Sequence, residues 1–144
     1  MGKQEKAILE KLSPVQEKAA RRTHSDVLVR AGAGSGKTKT LVARFLLLLD
    51  ENRDWLPSDI TAVTFTRKAA REMQSRIREQ MMELAVNSGD DLEEKKHWLQ
   101  MLNEMDSANI GTIHSLCGRI LRAHPAEVAW IRHSPSLMTT KRLC

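Results

Sequence analysis

The first readable unit of the chain is KLSPVQEKAARR. Ser13 stands where a helix starting at Pro14 needs its N-cap, and a proline there gives up an N–H that would have no partner anyway. Gln16 falls three positions after Ser13, completing a capping box in which each side chain meets the other's backbone N–H. Residues 27–29, VLV, are short, β-branched and apolar, the pattern of a buried parallel strand. Residues 41–49 are apolar on nearly every face, which predicts a helix sandwiched inside an α/β domain. Pro57 and Ser58 break the periodicity within 52–59, and ITAVTF at 60–65 is a second β-rich run. The spacing of Ala70, Met73, Ile77, Met81 and Leu84 predicts a helix over about 67–85. Arg67, Lys68, Arg71, Arg76 and Arg78 make its remaining faces basic. After a polar turn at 87–91 containing Gly89, the positions Leu92, Trp98, Leu99, Leu102 and Met105 mark another amphipathic helix. ANIGTIH at 108–114 reads as a third strand and SLCGRILRAH at 115–124 as a further helix.

Strands alternating with helices in this order predict an α/β fold, a parallel sheet flanked by helices. Three strands are few for such a sheet, which usually has about five, so the fold is expected to be incomplete. The length of 144 residues corresponds to about one domain, and 41% hydrophobic with 28% charged residues is globular composition rather than disorder. Lys and Arg number 23 against 18 Asp and Glu, a net charge of +5, which points to an anionic partner and first to nucleic acid. Aromatic residues are only 3%, too few for a binder built on a row of stacking rings. The longest run of large apolar side chains, 45–49, is far too short to span a membrane, and MGKQEKAILEKL has no apolar signal core. Cys117 and Cys144 have neither metal nor redox spacing, so a reducing cytoplasmic setting is expected.

The strongest motif is AGAGSGKT at 31–38. It fits the phosphate-loop pattern G-x-x-x-x-G-K-[ST] with Ala31 in place of the first glycine. Gly32, Gly34 and Gly36 let the backbone curl, so that N–H groups, with those of Ala33 and Ser35, converge on phosphate oxygens. The following helix aims its positive end at the same anion. Lys37 can neutralise the outer phosphates of ATP, and the Thr38 hydroxyl can join a Mg²⁺ shell. The alternative is a glycine-rich turn with a solvated lysine, but a strand before and a helix after are the context that identifies the motif.

Together AGAGSGKT, the upstream LSPVQ, TFTRKAAREM at 64–73 and GTIHSLCGRILR at 111–122 resemble the UvrD/Rep family of superfamily 1 DNA helicases. The 47-residue offset from Thr64 to Gly111 looks more like the AddA and RecB branch of helicase–nucleases, which implies a partner protein. The resemblance implies a RecA-like P-loop NTPase fold, ATP with Mg²⁺ as cofactors, and single-stranded DNA as partner. It assigns Gln16 to the adenine edge, Lys39 to a place near the base, and Thr64, Phe65, Thr66, Arg67, Thr112 and His114 to the DNA. An amide offers donor and acceptor together, as adenine does, and Phe65 offers a face for a base. Two departures stand out. Lys39 replaces an arginine, losing the flat guanidinium, and Ile113 replaces a common phenylalanine. His24, His97, His124 and His133 have no motif around them.

FLLLLDE at 45–51 imitates the strand that supplies a Mg²⁺ carboxylate and a general base. It begins eight residues after Lys37, within the helix that must follow the loop, so Asp50 and Glu51 are expected at that helix's end. The family's arginine finger and second motor domain are not recognisable. Residues 1–127 therefore resemble the amino-terminal part of the first motor domain and 128–144 a divergent tail. The isolated chain is expected to bind ATP and DNA without turnover. The competing reading is a stand-alone, non-hydrolysing nucleotide-binding module.

Overall fold

The computed structural model describes residues 3–21, 26–32 and 34–125. Ala33 and the tail at 128–144 lie outside the described residues. The order is α1 (Lys3–Leu9), α2 (Pro14–Arg21), α3 (Lys37–Glu51), β1 (Thr61–Thr64), α4 (Arg67–Asn87), α5 (Leu92–Glu104), β2 (Asn109–Thr112) and α6 (Ile113–Ala123). Single 3-10 turns at Pro57–Asp59 and Met105–Ser107 lead into the two strands. No helix among the described residues is long and apolar enough to cross a membrane.

Helix α3 supplies the centre of the core. Val42, Ala43, Phe45, Leu46, Leu47 and Leu49 are all buried, which requires neighbours on several sides. Ile8 and Leu9 of α1, Ala20 of α2, Met73, Ile77 and Met81 of α4, and Trp98 of α5 provide them. The basic helix α4 buries every apolar position that its spacing marked. Its charged faces are partly neutralised, Arg76 by Glu72 at 2.6 Å and Arg78 by Asp106 at 2.5 Å.

β1 and β2 pair in parallel, Thr61 opposite Asn109 and Thr64 opposite Thr112. The crossover through α4 and α5 satisfies the length that a parallel connection needs. A third strand at 27–29 does not form: residues 26–30 are irregular and Leu28 is 88% exposed. The physical reason is that the described sheet holds β1 and β2 alone, so this segment has no ladder, and β-propensity without pairing does not hold a strand. The other differences are smaller. α1 is a seven-residue helix too short to announce itself by periodicity. In α5 the inward face carries Trp98 and Met101, whereas Leu92 is exposed. α6 starts at Ile113, directly after β2, and none of its residues is buried.

At the far end of α3, Arg53 bridges Asp50 at 2.8 Å and Glu94 at 2.7 Å, tying α3 to α5. Burial pushes the Asp50 carboxyl above its ordinary value, against the opposing pull of Arg53. Burial also pushes His97 below the usual histidine value, and Arg53 adds to this, while Glu94 and a hydrogen bond to the Leu49 backbone oppose it. A depressed histidine contributes stability that is present above its unfolded value and lost as pH falls through the folded one. The urea midpoint should therefore drop as pH falls below about 6.5, the unfolded histidine value, and this part of the drop should disappear in His97→Gln.

Thr66 caps α4 by accepting the Ala69 N–H at 3.1 Å, while its neighbour Phe65 is 92% exposed. Thr66→Val should lower stability by about 1 kcal/mol in equilibrium unfolding. Phe65→Ala should stay within about 0.5 kcal/mol of the wild type, because its ring has almost no buried area to lose.

Candidate functional site

Among the α-helices whose caps are described, one stands apart from the other four. α2 starts on the foreseen capping box: Ser13 N–H donates to Gln16 Oε1 at 3.0 Å, and Gln16 N–H donates to Ser13 Oγ at 3.4 Å. Thr66, Asp91 and Thr112 cap α4, α5 and α6 with their side chains. α3 starts instead on Gly36, with φ 80° and no side-chain cap bond. Its first N–H groups, which have no partner within a helix, are left for something outside it.

That start is the phosphate loop. Gly34, at φ 75°, and Gly36 both take the left-handed conformation that favours glycine, one on each side of Ser35. Ser35 Oγ donates to the Gly32 carbonyl at 2.7 Å and tightens the curl. Lys37, the first residue of α3, turns its ammonium back to the carbonyls of Ala31 at 2.9 Å and Gly32 at 2.5 Å. Thr38 is the second residue of α3. Gln16 reaches across from α2, and its Nε2 donates to the Ser35 carbonyl at 2.9 Å.

A cavity of about 300 Å³ opens between α2 and the loop, lined by Gln16, Ser35 and Lys37 together with Val15, Ala19, Val29, Arg30, Ala31 and Thr40. This volume is at the lower end of small-molecule sites. Its chemistry suits an anion at the loop end, with an amide and apolar carbon at the other. Val15 and Arg30 were not singled out by sequence reasoning, although one adjoins Gln16 and the other adjoins the loop. Lys39 is not brought to this cavity. Its ammonium donates to the Lys11 carbonyl, on a neighbouring cleft that Arg76 and Glu83 also line.

The remaining motif residues gather at the carboxyl ends of the two strands. Thr64 and Thr112 are register partners, and α4 and α6 begin just beyond them. Thr64 Oγ1 donates to the Thr66 carbonyl at 3.0 Å, and Thr112 Oγ1 accepts the Ser115 N–H at 3.2 Å. Phe65, Thr66, Arg67, Ile113 and His114 are exposed around this pair. Two helix N-termini thus face the same edge, with one aromatic ring standing free beside them.

Asp50 and Glu51 are the last two residues of α3, about 18 Å from Thr38 at the helical rise per residue. They belong to the salt-bridge end of that helix, as the spacing from Lys37 predicts. No group of three or more His, Cys, Asp or Glu among the described residues is arranged to hold a metal ion.

The chain is similar to an ATP-dependent helicase/nuclease protein of Ligilactobacillus salivarius, with 36% identity over 114 residues, 79% of this chain and 9% of the relative. Its counterpart in Pediococcus pentosaceus is 37% identical over 107 residues, 74% of this chain and 8% of that protein. Both relatives bear names that make them one subunit of a helicase/nuclease. The ATP-dependent DNA helicase PcrA of Staphylococcus aureus is 39% identical over 116 residues, 81% of this chain and 13% of the helicase. The chain thus spans about a tenth of the length of these relatives. The UvrD/REP helicase N-terminal domain matches residues 12–142, and the chain, with its uncapped phosphate-loop helix and paired threonine edge, belongs to that family.

Proposed function

We propose that this chain is the ATP- and single-stranded-DNA-contacting part of an ATP-dependent DNA helicase of repair or recombination, with a RecA-like P-loop fold. The observation that carries the reading is the start of α3: a glycine cap without a side-chain bond, two left-handed glycines and Lys37 at the first helical position. The curl and the free N–H groups receive the phosphates of ATP, Lys37 neutralises them, and Thr38 ligates Mg²⁺. The adenine lies in the cavity toward Gln16 and Val15. Residues 1–127 carry this binding unit. Turnover needs a carboxylate to orient water and a cation to meet developing charge, and Asp50 and Glu51 are too far along α3 to serve. The two helicase/nuclease relatives favour a partner protein for the parent assembly.

Lys37→Ala should weaken binding of ATP with Mg²⁺ by about 1.5–3 kcal/mol, the worth of a hydrogen bond to a charged group. Isothermal calorimetry on both proteins checks this, and equal affinities would remove the phosphate-loop assignment.

The DNA edge is formed by Thr64, Phe65, Thr66, Arg67, Thr112 and His114. The hydroxyl of Thr66 accepts a bond within its cap and keeps its own proton to donate to a phosphate. Phe65 gives a base its stacking surface. Phe65→Ala should weaken oligothymidylate binding by about 1–3 kcal/mol with little change in salt dependence. Arg67→Ala should instead flatten the salt dependence. Fluorescence anisotropy across a salt series separates the two.

A further inference from the structure

Gln16 does more in this structure than face a cavity. Its amide is held at both ends. Oε1 accepts the Ser13 N–H at 3.0 Å, which fixes which end of the amide is the donor. Nε2 then donates to the Ser35 carbonyl at 2.9 Å. Ser35 is the residue between the two left-handed glycines, so its carbonyl direction is set by the most deformable torsions of the loop. A Cβ at position 36 would lie 2.5 Å from Gln16 Nε2, so a side chain there would displace the amide from this contact. The bond closes a ring. The capping box fixes Gln16 on α2, α2 packs against α3, and α3 begins at the residue after Gly36.

We propose that Gln16 is a positioning residue: through Nε2 it braces the Ser35 carbonyl and keeps the phosphate loop, before any ligand binds, in the curl that accepts phosphate. This rests on the reading of the loop as a phosphate site and goes beyond adenine contact, because a brace acts on any polyphosphate, with or without a base. The second Nε2 hydrogen remains available to a base.

The test uses the full chain and two variants. Gln16→Glu keeps the acceptor for the Ser13 N–H and removes the donor to Ser35. Gln16→Met is uncharged and of similar length, so it avoids repulsion of the ligand. In the absence of any ligand, amide hydrogen exchange of residues 34–38 should be faster in both variants, and in Gln16→Glu exchange within α2 should match the wild type. A fraying helix would raise α2 exchange instead. In calorimetry, Gln16→Met should bind inorganic tripolyphosphate about three- to tenfold more weakly, the worth of one hydrogen bond, and ATP and GTP by at least that factor. Unchanged loop exchange in both variants, or a loss confined to ATP with tripolyphosphate unaffected, would overturn the brace and leave Gln16 a reader of the base. Failure of the wild type to bind any of the three ligands would remove the nucleotide reading, and the ligand-free exchange comparison would still decide the brace.

Discussion

The constraint on which the rest of the structure depends is that one helix must be both the centre of the core and the floor of the site. α3 packs against α1, α2 and α4 and buries Thr40, Val42, Ala43, Phe45, Leu46, Leu47 and Leu49, so its axis cannot shift without opening the core. The same axis determines where its first N–H groups point. Dense interiors do not deform gradually, and the loop at the start of α3 therefore inherits its position from leucines at the other end of the helix. The site is placed by packing, and the local sequence only has to avoid blocking it. Glycine at the cap position meets that demand. A serine or threonine there would satisfy the orphan donors internally and compete with an incoming anion.

The second edge follows a different logic. Thr66 and Thr112 are both N-caps, and both lie where the resemblance places DNA contacts. At Thr66 the lone pairs take the Ala69 N–H and the proton stays available, whereas the Thr112 hydroxyl is buried and also shares a hydrogen bond with Ser115 Oγ at 2.8 Å. The parallel register sets Thr64 beside Thr112, so the starts of α4 and α6 lie together, although 46 positions separate Arg67 from Ile113. In the proposed reading such an edge would meet a nucleic-acid backbone more than a sequence of bases, which agrees with the scarcity of aromatic rings in the chain.

What was legible in the sequence was what depends on neighbours in the chain. Ser13 and Gln16 form their box, the apolar stripe of α4 is buried position by position, and the helical register after Lys37 carries Asp50 and Glu51 to the end of α3. The strand at 27–29 was not legible, because VLV reports a preference for extended backbone and says nothing about whether a paired neighbour exists. The placement of Lys39 was missed for a related reason. Lys37 and Lys39 are two positions apart on a helix and so cannot share a face, and only the packing of α3 decides which of them looks into the cavity. The brace from Gln16 to Ser35 spans 19 residues and ends on a backbone carbonyl, a group that every residue carries and no sequence pattern marks.

In the proposed reading, the loop is held by bonds that a phosphate can replace. The ammonium of Lys37 lies on two neutral carbonyls, those of Ala31 and Gly32, and Gly32 also receives the Ser35 hydroxyl. A polyphosphate offers that ammonium charged oxygens, whose hydrogen bonds are roughly twice as strong as neutral ones. When the lysine turns outward, Ala31 loses its bond to Lys37 and solvent can replace it, because residues 31 and 32 are exposed. Gly32 keeps Ser35. The exchange therefore strands no buried polar group, and the bonds from Ser35 to Gly32 and from Gln16 to Ser35 do not involve the lysine at all. The curl is thus maintained by one set of contacts and the charge is delivered by another, which lets the lysine move while the N–H groups of the loop stay in place.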